Sequence, residues 1–115
     1  MKKVVLFAFN GEFMCFIHVL LNALDMKERG YEVRVVIEGS ATKLVPELAN
    51  QKNPMFSLWE KAGSLGLFEG ACKACSNKMG VLDEIKALGL DLLDDISGHP
   101  SMAKYMENGF EVITF

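Results

Sequence analysis

Six consecutive apolar residues near the start of the chain, Val4-Val5-Leu6-Phe7-Ala8-Phe9, constrain the fold more than any other feature of the sequence. A strand with one wet face alternates apolar and polar residues. An unbroken apolar run of strand length belongs to a strand covered on both faces, as in parallel sheets flanked by helices. Asn10-Gly11 closes the run as a turn.

The rest of the chain continues this alternation. Phe13 to Arg29 has helical periodicity, with Gly30 as its stop after Lys27, Glu28 and Arg29. Val33 to Ile37 is a β-branched strand ended by Gly39-Ser40. Ser40 caps a short helix running towards Asn50, delayed or kinked by Pro46. Asn53-Pro54 supplies an N-cap and first position for a helix from Pro54 to about Leu65, stopped by Gly66. Leu67 to Ala71 is a short third strand that runs straight into Cys72-Lys73-Ala74-Cys75. Helical pattern continues through Lys78, breaks at Gly80 and resumes from Val81 to Leu88. Leu90 to Ile96 gives a weaker fourth strand and Ser97-Gly98-His99 a loop. Pro100 opens a helix ending at Gly109, and Phe110 to Phe115 is the last strand. Strands and helices in strict alternation, with short connections, predict one α/β domain over residues 1–115. Its architecture is a three-layer α/β/α sandwich around a mostly parallel five-stranded sheet.

Charge and hydropathy narrow the function. Twelve Lys and Arg against fifteen Asp and Glu leave a net charge of −3, and no basic cluster is longer than Lys2-Lys3, so nucleic-acid binding is not indicated. The apolar stretches Val4–Phe9 and Phe13–Leu21, the second broken by His18, fall short of a membrane span. No small-residue cleavage site follows the first strand, and the expected location is the cytoplasm. Neither Gly-x-Gly-x-x-Gly nor a phosphate loop occurs, so no nucleotide cofactor is expected. The helix from Phe13 to Met26 is apolar on nearly every side, which predicts a homo-oligomer that covers it.

In an open parallel sheet, ligands bind beyond the carboxyl ends of the strands. The residues expected there are Asn10, Gly11, Glu12 and Cys15 after the first strand, Glu38, Gly39 and Ser40 after the second, Cys72 and Cys75 after the third, and Ser97 to Pro100 after the fourth. All three cysteines and His99 therefore fall on one edge, whereas His18 sits among apolar neighbours on the first helix. The carboxylates Glu12 and Glu38 share that edge, as groups that bind a partner cation or lysine or, more commonly, as solvated loop residues. Cys72 has the strongest chemical claim. A thiol at a strand end feeding a helix N-terminus meets free amide N–H groups and the positive end of the helix dipole, which favour thiolate, the nucleophile. Lys73 and Lys78 add positive charge nearby. Cys75, one helical turn on, is placed to resolve a disulfide or persulfide on Cys72. A thioredoxin-type reading lacks the aromatic before the first cysteine and the Gly-Pro between the two. A metal site requires Cys15, Cys72, Cys75 and His99 to converge as a Cys₃His set, because no second close pair exists. A non-catalytic interaction subunit is the third alternative.

The segment Ala71-Cys72-Lys73-Ala74-Cys75-Ser76-Asn77-Lys78-Met79-Gly80-Val81 resembles the active-site segment of the DsrE/DsrF-like sulfur-relay family. In that family a cysteine follows the third strand, a small-residue helical turn comes next, and a glycine lies eight positions on, as Gly80 does from Cys72. Ser97-Gly98 looks like the family's loop after the fourth strand, and Glu111 to Phe115 is similar to its terminal strand. The resemblance implies a small cytoplasmic α/β protein, homo- or hetero-oligomeric, that takes sulfane sulfur from a donor protein and passes it to an acceptor as a cysteine persulfide. It implies Cys72 as the carrier. Thiolate attack on a donor persulfide is thiol exchange, for which no metal or organic cofactor is expected. Cys75 departs from the simplest family pattern, which has one cysteine, and gives a vicinal thiol able to release sulfide. Beside the resemblance, Cys15 and His99 are expected as second-line contributors from adjacent strand ends.

Overall fold

A computed structural model describes all residues from Met1 to Phe115. Strand β1 (Lys3–Ala8) lies at the centre of the apolar pattern, and Val4 to Ala8 are all buried. It leads through helix α1 (Phe13–Glu28) to β2 (Glu32–Ile37). A 3-10 turn over Gly39–Leu44 continues into the short helix α2 (Val45–Leu48), and helix α3 (Phe56–Ser64) follows. Strand β3 (Phe68–Cys72) passes directly into α4 (Lys73–Lys78), then α5 (Leu82–Ala87) and β4 (Leu92–Leu93). Helix α6 (Met102–Glu107) and strand β5 (Glu111–Thr114) complete the chain.

The five strands stand in the order β4-β3-β2-β1-β5, every adjacent pair parallel. The three-layer α/β/α arrangement expected from sequence is therefore present, but its layers are unequal. Alternate residues of β1 point to opposite faces. Val4, Leu6 and Ala8 join a core of 21 buried residues with α1, α2, α3 and α5. Val5 and Phe7 join a smaller core of five with Val36, Tyr105 and Phe110, under α6 alone. The lopsidedness follows from the topology. The crossovers β1→β2, β2→β3 and β3→β4 step the same way along the sheet, and right-handed crossovers then put their helices on one face. Only the reversed step from β4 to β5 delivers a helix to the other face.

Four local expectations shift. Ser40, expected to cap a short helix, lies inside the 3-10 turn, and its hydroxyl donates to the Phe9 carbonyl at 3.2 Å. The Asn53 carboxamide accepts a hydrogen bond from the Met55 N–H at 2.8 Å, forming an Asx turn, so α3 begins at Phe56 and Pro54 lies in the turn. The Ser101 hydroxyl accepts from the Lys104 N–H at 3.3 Å and caps α6, which starts two residues after Pro100. The fourth strand shrinks from Leu90–Ile96 to Leu92–Leu93, because the chain leaves the sheet at Asp94 to build a tight turn. The edge strand also approaches β3 closely at Gly70. A Cβ there would sit 2.5 Å from the Asp91 carbonyl oxygen, which leaves no room for a side chain. No helix is long and apolar enough to cross a membrane.

Helix α1 is less completely apolar on its outside than its composition suggests. Phe16, Ile17, Val19, Leu20 and Ala23 are buried in the core. The outer stripe carries Met14 and Leu21, 51% and 47% exposed, with His18 between them and also exposed.

Candidate functional site

The strand order places β2, β3 and β4 side by side, so the segments leaving their carboxyl ends are neighbours. Those segments carry Glu38, Cys72 and His99 respectively. Cys72 is the last residue of β3 and the N-cap of α4, where its sulfur accepts a hydrogen bond from the Cys75 N–H at 3.3 Å. Its carbonyl is held from below by Ser76, a fully buried residue whose hydroxyl donates to it at 2.7 Å. A buried backbone carbonyl and a buried hydroxyl satisfy each other here, which holds the backbone at Cys72, and the sulfur itself donates to the Gly98 carbonyl at 3.5 Å.

His99 is fixed by different means. Ser97 and Gly98 both have positive φ, 50° and 87°, the requirement of a type I′ turn. Reciprocal backbone bonds between Ile96 and His99, at 2.8 and 2.9 Å, close that turn. The Gly98 carbonyl accepts from the Ala74 N–H at 2.9 Å, which clamps the turn onto the first residues of α4. A Cβ on Gly98 would lie 3.0 Å from the Cβ of Ala74, so glycine serves both the backbone conformation and the close approach.

The result is a four-residue cluster. His99 Nδ1 lies 3.1 Å from Cys72 Sγ, 3.8 Å from Cys75 Sγ and 3.9 Å from Glu38 Oε1. The donor atoms of Glu38, Cys72, Cys75 and His99 all fall within 4.8 Å of one another. Cys72 is fully buried, Cys75 half-buried and His99 exposed, so the cluster meets solvent through His99 and Cys75. All three cysteines are free thiols.

The electrostatics of Cys72 run against the expected activation. Burial pushes its thiol up to about 12, with the hydrogen-bonded thiol of Cys75 and the Glu38 carboxylate adding to the rise. The Cys75 N–H works in the opposite direction but is outweighed. Lys73, expected to favour the thiolate, is engaged by Asp94 at 3.6 Å, both side chains about half exposed. Cys72 is thus a thiol at neutral pH, with an imidazole nitrogen in hydrogen-bond contact. Burial also raises Glu38, partly offset by His99.

Of the four residues singled out from sequence, Cys72, Cys75 and His99 come together. Cys15 does not join them: its thiol sits 3.7 Å from the Glu12 carboxylate on the first turn of α1, and partial burial followed by Glu12 raises it. Two contributors carry little signal in the sequence. Glu38 looks in sequence like a solvated loop carboxylate, yet it is only 6% exposed. Ser76 reads as an ordinary helical serine, although its place four residues after Cys72 is the spacing at which a hydroxyl reaches back to a carbonyl.

No protein-family model matches the chain. The fold is shared with a solved protein of unknown function, BT1422 from Bacteroides thetaiotaomicron, at a TM-score of 0.75 and 19% identity, over 99% of this chain and 95% of that one. An uncharacterized protein of Archaeoglobus fulgidus is 46% identical over 41 residues, covering 36% of this chain and 67% of that protein. The uncharacterized protein MJ0733 of Methanocaldococcus jannaschii is 35% identical over 96 residues, covering 84% of this chain and 76% of that protein. On that extent of shared sequence, the chain belongs to the family of the Methanocaldococcus jannaschii protein.

Proposed function

We propose that this protein is a small cytoplasmic sulfur carrier of the DsrE/DsrF-like kind, holding sulfane sulfur as a persulfide on Cys72. The observation that carries the reading is the 3.1 Å contact between Cys72 Sγ and His99 Nδ1. A buried thiol with a raised pKa needs a base at hydrogen-bond distance to become a nucleophile at neutral pH, and His99 is that base. As His99 takes the proton, the thiolate attacks the outer sulfur of a donor persulfide, R–S–SH. A Cys72 Sγ–S bond forms, the donor S–S bond breaks, and R–S⁻ leaves. Attack on that outer sulfur by an acceptor thiolate is the same exchange onward, with the Cys72 thiolate as leaving group.

Cys75 supplies a second exit. Its thiolate can attack Cys72 Sγ, expelling hydrosulfide and leaving a Cys72–Cys75 disulfide that an external dithiol must reduce. Donor and acceptor are proteins presenting a persulfide or thiol to the exposed His99–Cys75 side. Self-association through the Met14–Leu21 stripe of α1 is part of the reading.

Intact mass spectrometry after incubation with a sulfane-sulfur donor tests it. A gain of about 32 Da, one sulfur atom, is expected in the native protein and in Cys75→Ser, but not in Cys72→Ser. An adduct that survives Cys72→Ser, or no adduct in metal-free native protein, overturns the reading.

A further inference from the structure

Glu38 is the member of the cluster that sulfur transfer does not explain. Its side chain is nine-tenths buried, makes no hydrogen bond, and has the ring nitrogen Nδ1 of His99 3.9 Å away. The carboxylate keeps only a narrow opening to solvent, and proteins retain so desolvated a charge where something positive shares the site. The arrangement is not a Cys-His-Glu triad either. In a triad the acid bonds the ring nitrogen opposite the one facing the nucleophile, whereas here the Glu38 oxygen and the Cys72 sulfur both approach Nδ1. Four donor atoms of three kinds converge on one point.

The size of that point is informative. Zinc takes sulfur ligands at about 2.3 Å and nitrogen or oxygen ligands at about 2.0–2.2 Å, so donors around a tetrahedral ion are separated by about 3.3–3.8 Å. The separations of 3.1, 3.8 and 3.9 Å from His99 Nδ1, and the 4.8 Å bound on every other pair, require an adjustment of about an ångström at most. Two thiols, an imidazole and one carboxylate are a borderline-soft set that suits zinc better than magnesium or calcium. The elements supplying them leave β2, β3 and β4, so the ligands are preset by the sheet and by the clamp at Gly98.

We propose that Glu38, Cys72, Cys75 and His99 bind one zinc ion per chain, and that zinc and sulfur occupy the site in alternation. The alternation rests on the sulfur-carrier reading; the zinc site does not. Binding displaces the two thiol protons and ties both sulfurs to the ion, which removes the nucleophile. Conversely, a persulfide on Cys72 puts a sulfur atom against His99 Nδ1, where the ion would sit. The protein would then load sulfur only when zinc is scarce.

The test uses the full chain stripped with a chelator. Zinc alone is titrated in competition with a chromogenic chelator, and cobalt is bound as a spectroscopic probe. Expected are one ion per chain, a cobalt spectrum with thiolate charge-transfer and tetrahedral bands, and affinity falling about tenfold or more in Glu38→Gln and in Cys75→Ser. Cys75→Ser alters a half-buried position and leaves the Cys72 packing intact, so a folding failure at Cys72 does not obscure the result. Zinc that fails to bind, a cobalt spectrum without thiolate bands, or affinity unchanged in both variants overturns the zinc site. Sulfur loading is then compared with and without one equivalent of zinc. Loss of the 32 Da adduct on zinc addition is expected, and an undiminished adduct on zinc-loaded protein overturns the alternation. Zinc bound as described by a protein that never takes up sulfur leaves the zinc site standing and removes the carrier reading. Sulfur taken up by a protein that binds no zinc does the reverse.

Discussion

Cys72 Sγ and His99 Nδ1 stand 3.1 Å apart although 27 residues separate them, and neither reaches the other through local structure. Cys72 is placed by the end of a central strand and the first turn of a helix. His99 is placed by a positive-φ turn that hydrogen-bonds onto that same helix turn. The contact joins an exposed imidazole to a fully buried sulfur.

Alkylation of Cys72 is expected to show no plateau across the ordinary thiol range. With its thiol pushed up to about 12, the thiolate fraction rises about tenfold per pH unit from pH 7 to 10. In urea, where burial is lost, the same cysteine should level off above about pH 9. Peptide-resolved mass spectrometry of iodoacetamide-treated protein gives both profiles. A plateau near pH 8.5 in the native protein would contradict the raised value.

The raised Cys72 thiol also links stability to alkaline pH. The folded-state value lies above the unfolded one, so this contribution is fully present below about pH 8.5 and is lost as pH rises towards 12. Urea denaturation at pH 8 and pH 10.5 should show a smaller loss for Cys72→Ala than for the native chain.

Glu38→Gln is expected to raise the melting temperature of chelator-treated protein at pH 7. Burial raises the carboxyl above its ordinary value, so the folded state binds a proton more tightly than the unfolded state. Its contribution to stability is present below about pH 4.5 and declines as pH rises through the folded-state value. The advantage of the glutamine variant should therefore vanish in acid. A variant less stable than the native chain at pH 7 would mean that the carboxylate has a compensating partner.

Gly98→Ala should cost about 1–3 kcal/mol, since a side chain is strained at φ +87° and its Cβ would meet Ala74 at 3.0 Å. Because the same residue sets His99 against Cys72, sulfur loading should fall along with stability. Urea denaturation combined with the mass assay separates the two effects: a variant that is destabilised but loads sulfur at the native rate would show that the turn does not position His99.

Leu21→Glu places a charge on the outer stripe of α1, where the native side chain is 47% exposed. It should leave the fold intact and shift sedimentation from an oligomer towards a monomer. Identical sedimentation of variant and native protein would remove this stripe as an interface. Ile17→Glu cannot serve the same purpose, because Ile17 lies in the core.

The layered α/β/α architecture was legible in the sequence because burial leaves a periodic trace. Val4 to Ala8 had to be covered on both faces, and the glycines after α1, α3 and α5 marked the helix ends. The thiols were visible for the same local reason, a Cys-x-x-Cys pair at a strand-to-helix junction. Boundaries were lost where a side chain competed with the pattern, as at Asn53 and Ser101.

The site itself was decided by tertiary structure. Strand order is a relation between distant segments and leaves no periodic signal in the chain, yet it is what sets β2, β3 and β4 side by side. That adjacency gathers Glu38, Cys72, Cys75 and His99 and leaves Cys15 with Glu12. It also reverses the electrostatics expected of Cys72. The helix N-terminus that favours thiolate and the Cys75 thiol that opposes it are local, whereas the burial and the Glu38 carboxylate that also oppose it are measured in space, and together the opposing effects prevail.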